Sequence, residues 1–348
     1  MKAKILLLFT IFTLIACKRE TKNDSFETVS VSKLVELRDD KNSLHLKSGN
    51  FNYSIEKNVL PFKRIVLLSA SMSGYIGELN AENLIIGVSS PEYIYSEKIG
   101  NLIQQKKIHN VGSEQKYDIE KIISLKPDAV FTNYIANFQN TYEVLKNNGI
   151  KVIFLDEFNE ENPLEKAAYI KVFGKLLGKE ELAESKFKEI EKNYNALKTL
   201  ASKAPNSPGV LANEMYGDIW YLPGGNTSFA KLVSDAHGDY ILKDNSDTKA
   251  VTMNFEEVFS KSKNIQFWLN VGNHQSKKEL LAVNPFYAKL NVFNHGKMYS
   301  MAGKEKGKAN DFFESGIVRC DVVLKDYIKI LHPELLPDYQ LTFMKELK

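Results

Sequence analysis

Two segments far apart in this chain follow one plan, and that plan limits the fold more than any other feature. Residues 111–133 read VGSEQKYDIEKIISLKPDAVFTN and residues 251–270 read VTMNFEEVFSKSKNIQFWLN. With Glu120 set over Glu256, a short helix with an acidic start (119–125; 255–261) leads through a polar break into an apolar strand (129–132; 265–269). Ser124 then falls over Ser260 and Phe131 over Phe267 without a gap. Beyond these and the glutamates the match is one of pattern. Two like α/β units so widely separated predict two lobes facing each other across a cleft, where small ligands usually sit.

The first residues bear on the compartment. Lys2 and Lys4 form a basic start, residues 5–16 are an apolar run broken only by threonines, and Leu14-Ile15-Ala16 precede Cys17. The pattern resembles a bacterial lipoprotein signal, residues 1–16, in which Cys17 is lipidated and becomes the mature N-terminus. A spanning helix needs about 20 apolar residues, more than this run supplies. Two or more acyl chains would hold the exported protein on the membrane, facing periplasm or exterior, without crossing it. The polar residues 17–25 then form a tether.

Removing Lys2 and Lys4 from the 46 basic side chains leaves 44 against 43 acidic ones. A nearly neutral surface with no basic run interleaved with aromatics excludes a nucleic-acid partner. With Cys17 acylated only Cys320 remains, so no intramolecular disulfide forms, and Cys320 reads as a small core residue. About 330 mature residues exceed one core, which again gives two domains.

Residues 26–56 alternate apolar and polar side chains around a Ser48-Gly49-Asn50 turn, which predicts a β-meander of two or three strands. Strands follow at 64–69, 84–88, 129–132 and 151–155, with helices near 75–79, 119–125 and 142–147. Such alternation implies a parallel sheet. Asn162-Pro163 with Glu165 is a helix start. Helical periodicity runs to Leu177, pauses at Gly178, and resumes from 180 to about 201, a rod of roughly 33 Å. The second half repeats the plan: strands 209–214 and 219–222, helix 228–236, the second repeat copy, strand 297–301 and a closing helix 318–331. The boundaries expected are an N-terminal lobe 26–158, a linking helical segment 159–204 and a C-terminal lobe 205–348.

In the order RIVLLS, IIGVSS, VG…YDIEKIISLKPDAVFTN, a lone linking helix, IWYLPGGNTS and NDFFESGIVRCDVVLKDYIKILHPELL, residues 60–335 resemble the substrate-binding proteins of iron-complex and cobalamin ABC importers. The resemblance implies an α/β fold of two Rossmann-like lobes with central parallel sheets, linked by one long α-helix, with the ligand cleft between them. It departs from the family at Met72-Ser73-Gly74, where an acidic Thr-Glu pair is common, and at Cys320, where a proline is usual. The implied function is capture of a metal chelate, a ferric siderophore first, with haem or cobalamin behind it, and delivery to an ABC permease dimer with its ATPase subunits. The protein would act as a monomer, without a cofactor of its own.

Strand ends are where α/β folds collect ligands. They nominate Ser71, Ser73, Tyr93, Tyr95, Asn133 and Tyr134 in the first lobe. In the second they nominate Lys304, Lys306 and Lys308 in a glycine-punctuated loop, and the family's WY-Pro-Gly hairpin nominates Trp220. By the same resemblance Glu120 and Glu256 dock onto permease arginines, although the helix dipole alone favours an acid at each place. No G-x-S-x-G, H-E-x-x-H or P-loop occurs, and the six histidines have no ligand spacing, so no direct metal site is expected. The reading from another class is an exported enzyme on the same two-lobe scaffold.

Overall fold

The computed structural model describes residues 28–348. The expected leader, Cys17 and the tether lie outside the described residues. The described residues open with four antiparallel strands in the order of sequence: β1 (Thr28–Ser30), β2 (Val35–Asp39), β3 (Ser43–Ser48) and β4 (Phe51–Glu56). Two or three were expected. The extra one, β1, is exposed along its length and so carries no one-sided apolar signal. Val35, Leu37, Leu44, Leu46 and Ile55 turn to one face and join the main core. The meander also covers a sheet edge, since the Tyr53 hydroxyl accepts the Phe154 N–H at 2.8 Å. An edge left bare would be a template for unwanted pairing.

The first lobe follows. Its elements are β5 (Ile65–Leu67), α1 (Met72–Glu78), β6 (Ile85–Val88), α2 (Glu97–Gln104), β7 (His109–Asn110), β8 (Gly112–Ser113), β9 (Lys116–Tyr117), α3 (Ile119–Leu125), β10 (Ala129–Thr132), α4 (Gln139–Asn147) and β11 (Lys151–Phe154). Five of these strands form a parallel sheet ordered β11-β10-β5-β6-β7, while β8 and β9 form a small hairpin. Ile65–Leu67 and Ala129–Thr132 are buried throughout, as covered parallel strands must be.

Two helices lead out of this lobe, α5 (Pro163–Leu177) and α6 (Glu180–Ala201). The Asn162 side chain caps α5 by accepting the Leu164 N–H at 3.0 Å, with Pro163 in the first turn. Such a cap is worth about 0.5–2 kcal/mol. Gly178 at φ +66 ends the helix in the left-handed region, where a side chain would be strained. The 22-residue α6 buries Ala183, Phe187, Ile190, Tyr194 and Ala201 as one stripe.

The second lobe comprises β12 (Gly209–Ala212), β13 (Met215–Tyr216), β14 (Ile219–Pro223), α7 (Ser228–Asp235), β15 (Asp239–Tyr240), β16 (Ala250–Met253), α8 (Phe255–Lys261), β17 (Ile265–Leu269), α9 (Lys277–Val283), α10 (Asn291–His295), β18 (Lys297–Ser300), β19 (Glu305–Lys306), β20 (Ala309–Asn310), α11 (Ser315–Val318), α12 (Cys320–Leu331) and β21 (Lys345–Glu346). Its main sheet is ordered β15-β12-β17-β18-β21, parallel except for β21. Read from the other edge, β18-β17-β12-β15 reproduces β11-β10-β5-β6. The two repeat copies, α3–β10 and α8–β17, therefore occupy equivalent places in two like sheets. The single closing helix expected at 318–331 is broken at Arg319 (φ −87, ψ 54) into α11 and α12. The Arg319 guanidinium grips both Asp321 oxygens at 2.9 Å and also faces Glu78 of α1 at 3.9 Å. Cys320 is buried, in keeping with its core reading.

Candidate functional site

The strand order places the reversal of the first sheet between β5 and β10 and that of the second between β12 and β17, and crevices outside strand C-termini at such points are ligand sites. After β5 the chain turns through Ser69, Ala70 and Ser71 at this reversal. A cavity of about 350 Å3 lies there, between the lobes. The first lobe lines it with Ser69, Ser71, Tyr93 and Glu114, and the second with Asn273, Lys308, Asn310, Phe313, Glu314 and Ile317. Tyr93 is 46% exposed, with the Lys308 ammonium of the opposite lobe 5.6 Å from its ring centre. That is within cation–π range and gives the cleft mouth one aromatic face and one positive charge.

Ser71 belongs to a fixed network. Its hydroxyl donates to Glu157 Oε1 at 2.9 Å, and Asn133 Nδ2 donates to Glu157 Oε2 at 2.9 Å and to the Leu155 carbonyl at 2.7 Å. Burial pushes the Glu157 carboxyl above its ordinary value, opposed by these hydrogen bonds. Asn133 thus supports the floor of the cleft without lining the cavity.

The lobes touch at Glu314. Its carboxylate accepts the backbone N–H of Tyr95, and that of Ser96 at 3.3 Å, at the start of α2. Burial pushes this carboxyl up to about 7. A Cβ at Gly74 would meet the Glu314 carbonyl oxygen at 2.3 Å, so the Met72-Ser73-Gly74 departure has a physical reason. Only glycine lets α1 approach the opposite lobe this closely.

Of the residues nominated from sequence, Ser71, Tyr93 and Lys308 line the cavity together. The others are placed differently. Ser73 is buried, its hydroxyl donating to the Ala70 carbonyl at 2.5 Å. Tyr95 contributes its N–H to Glu314 and not its ring to the cavity. Tyr134 packs among Phe51, Phe154 and Tyr142 under the meander, with ring centres 5.1–6.2 Å away. Lys304 is held by Asp311 at 3.2 Å, and Lys306 is exposed on the β19–β20 hairpin.

Trp220 is the clearest correction. It is fully buried, its indole N–H donates to the Ala212 carbonyl at 2.9 Å, and its ring packs on Trp268 and Tyr287 at 5.4 and 5.6 Å. The β14 strand alternates, so Trp220 and Leu222 turn inward while Ile219 and Tyr221 are exposed.

The residues missed from sequence are Ser69, Glu114, Asn273, Asn310, Phe313, Glu314 and Ile317. Four of them fall in Asn310–Ile317, where polar and aromatic side chains crowd at the start of the closing helices. That crowding is the signal that could have found them; Asn273 offers none. No group of three His, Cys, Asp or Glu able to hold a metal ion occurs among the described residues.

Glu120 and Glu256 are both exposed, and both are the second residue of their helices. Asp118 caps α3 by accepting the Lys121 N–H, and Asn254 caps α8 by accepting the Glu257 N–H. Each cap satisfies one first-turn N–H without help from the glutamate, and both glutamates stand exposed.

A family model described as periplasmic binding protein matches residues 65–304. An uncharacterized lipoprotein of Methanocaldococcus jannaschii is 25% identical over 284 residues, covering 79% of this chain and 66% of its own length, so the chain spans just under two thirds of that relative. A periplasmic heme binding protein from Pseudomonas aeruginosa superimposes with TM-score 0.62 at 15% identity, covering 82% of this chain and 98% of its own. An ABC transporter substrate-binding protein from Listeria monocytogenes does so with TM-score 0.58 at 18% identity, covering 78% and 99%. At such identities these two structures establish a shared fold.

Proposed function

The chain belongs to the periplasmic binding protein family, a family of solute-binding proteins and not of enzymes, and from that premise we propose that it captures a metal chelate, an iron complex before cobalamin, and delivers it to an ABC importer. The observation that carries this reading is the cavity lined from both lobes, with Tyr93 and Lys308 facing each other across it. A ferric siderophore suits this mixture, because an anionic, aromatic chelate meets both an ammonium and an aromatic face. Exposed Tyr93 favours haem as the second reading, since phenolate oxygen is a known ligand of haem iron. The Pseudomonas relative of the same fold is described as heme binding. No bond is broken in this function, so affinity and release are its whole chemistry.

Delivery requires a surface that a permease reads. Glu120 and Glu256, exposed at equivalent points of the two lobes, would supply one acid per lobe to a permease dimer. A lipid on Cys17 would keep the protein near its transporter; the family match and the relative named as a lipoprotein agree with export. The linking helices α5 and α6, with Glu314 and Arg319 bridging the lobes, favour a small closure over a wide hinge swing.

The test is spectroscopic. Protein purified from its native host should carry the absorption of a ferric siderophore, haem or cobalamin. Stripped protein should rebind haemin, a ferric catecholate or cyanocobalamin at one equivalent, with no product formed. Failure to retain any of these at micromolar concentration, or turnover of one of them, would overturn the proposal.

A further inference from the structure

Beside the interlobe cavity lies a second one of about 170 Å3, and Ile317 lines both. A cavity of about 150 Å3 is enough for a benzene ring. Here the walls are mostly apolar, with Phe229 and Leu232 of α7, Phe312, Ile317 and Val323. Into this space α5 sends Lys166.

The Lys166 ammonium makes no hydrogen bond or ion pair among the described residues. Two carboxylates, Glu157 and Glu160, act on it from beyond ion-pair distance: Glu157 accepts from Ser71 and Asn133, and Glu160 accepts from Ser32 and Tyr169 through Oε1, while its buried Oε2 has no partner among the described residues. Burial pushes the ammonium below its ordinary value, so it sits in a place that disfavours its own charge. Ser228 lines the same cavity from the first turn of α7, its hydroxyl without a protein partner among the described residues. The Thr227 side chain caps α7 by accepting the Ala230 N–H at 3.3 Å, and the positive end of the helix dipole favours an anion near Ser228. A cationic head and a hydroxyl, neither with a hydrogen-bond partner among the described residues, thus line one mostly apolar cavity.

We propose that this cavity is a subsite for an aryl or short alkyl arm ending in a carboxylate, the apolar arm lying against Phe229 and Phe312 and the carboxylate meeting Lys166 and Ser228. The subsite deepens the reading of the interlobe cleft as the ligand site and rests on it. It assigns the ligand an acidic side arm in addition to whatever Tyr93 and Lys308 hold.

The probe pair is 4-fluorophenylacetate and 4-fluorophenylacetamide, alike in shape and different in charge, followed by 19F NMR on the full chain at pH 7. The acid should bind about tenfold or more tightly than the amide, as expected of one charge-assisted hydrogen bond. Lys166→Met should abolish that preference while still binding the amide, and Lys166→Arg should keep it. Thermal melts of both variants show whether a loss reflects unfolding. Equal binding of acid and amide, an undiminished preference in Lys166→Met, or no binding of either probe would overturn the subsite. Protein that takes up haemin or a ferric catecholate yet fails here leaves the cleft reading standing. A charge preference in protein that takes up no chelate would instead keep the subsite and remove the chelate.

Discussion

Replacing Glu314 by glutamine should remove a pH dependence that the wild-type contact between the lobes imposes on stability. The carboxyl is buried among the Tyr95 and Ser96 N–H groups and Ser73, with Asp311 adding like charge. Its value rises from 4.5 to about 7, and burial is the largest cause. At ~1.4 kcal/mol per pH unit, that rise is worth about 3 kcal/mol between the protonated and ionised forms. The sign follows from linkage. A carboxyl whose folded value exceeds its unfolded one binds more protons when folded, so its contribution is fully present below about pH 4.5. The contribution falls as pH rises towards 7 and is gone above it.

Glutamine keeps the shape and one acceptor for the Tyr95 N–H but never ionises. Urea unfolding of wild type and Glu314→Gln, followed through the buried indoles of Trp220 and Trp268, should therefore give a stability difference that grows in favour of the variant. The growth should be about 3 kcal/mol from pH 4.5 to pH 8. A loss of about 1 kcal/mol from the weakened Ser96 contact would shift both ends equally and leave the gradient intact. Other buried carboxyls, Glu157 and Asp156 among them, titrate in both proteins and cancel. Parallel stability curves across this range would refute the placement of an ionisable, buried Glu314 between the lobes.

Trp220→Ala should cost about 3–5 kcal/mol of stability, measured by the same unfolding, and leave the ligand affinity of the protein that remains folded unchanged. Tyr93→Ala should weaken capture of haemin or a ferric catecholate by roughly 1–3 kcal/mol in an equilibrium titration. Lys308→Ala should weaken it less, and more for the more anionic chelate. The double variant Glu120→Lys, Glu256→Lys should bind chelate normally but fail in uptake, because it sets like charge against a basic permease surface. Wild-type docking should weaken with added salt, as exposed charges are screened over about 8 Å at physiological ionic strength. Normal uptake by that double variant at normal expression would return both glutamates to the ordinary preference for acids at helix starts.

The fold was legible because its determinants are local. Asn162-Pro163 and Gly178 bound α5 where the residues say they should, and the two repeat copies fold as α3–β10 and α8–β17 with the limits read from sequence. Periodicity and caps act within a few residues, so one chain segment contains the whole argument. The break at Arg319 was hidden because no proline or glycine marks it; the guanidinium pairs with Asp321 two residues on and reaches Glu78 of α1, a partner that no local pattern announces.

The site was legible only in part, for the opposite reason. Tyr95 and Glu314 meet across 219 positions of sequence, and no local pattern announces such a pair. Strand ends pointed to the right loops, which is why Ser71, Tyr93 and Lys308 converge on the cavity. Within a loop, however, one residue turns to the cleft while its neighbour turns to the core. Trp220 shows the same limit in a strand. A period of two requires Trp220 and Tyr221 to face opposite ways, but the face that is buried depends on Trp268 and Tyr287, which are supplied from elsewhere in the lobe. Large aromatics gain most from burial, so where an alternating pair offers two of them, the one with a satisfied N–H donor is the better guess for the core. Here that N–H finds the Ala212 carbonyl at the end of β12, and the exposed Tyr221 is left on the solvent face.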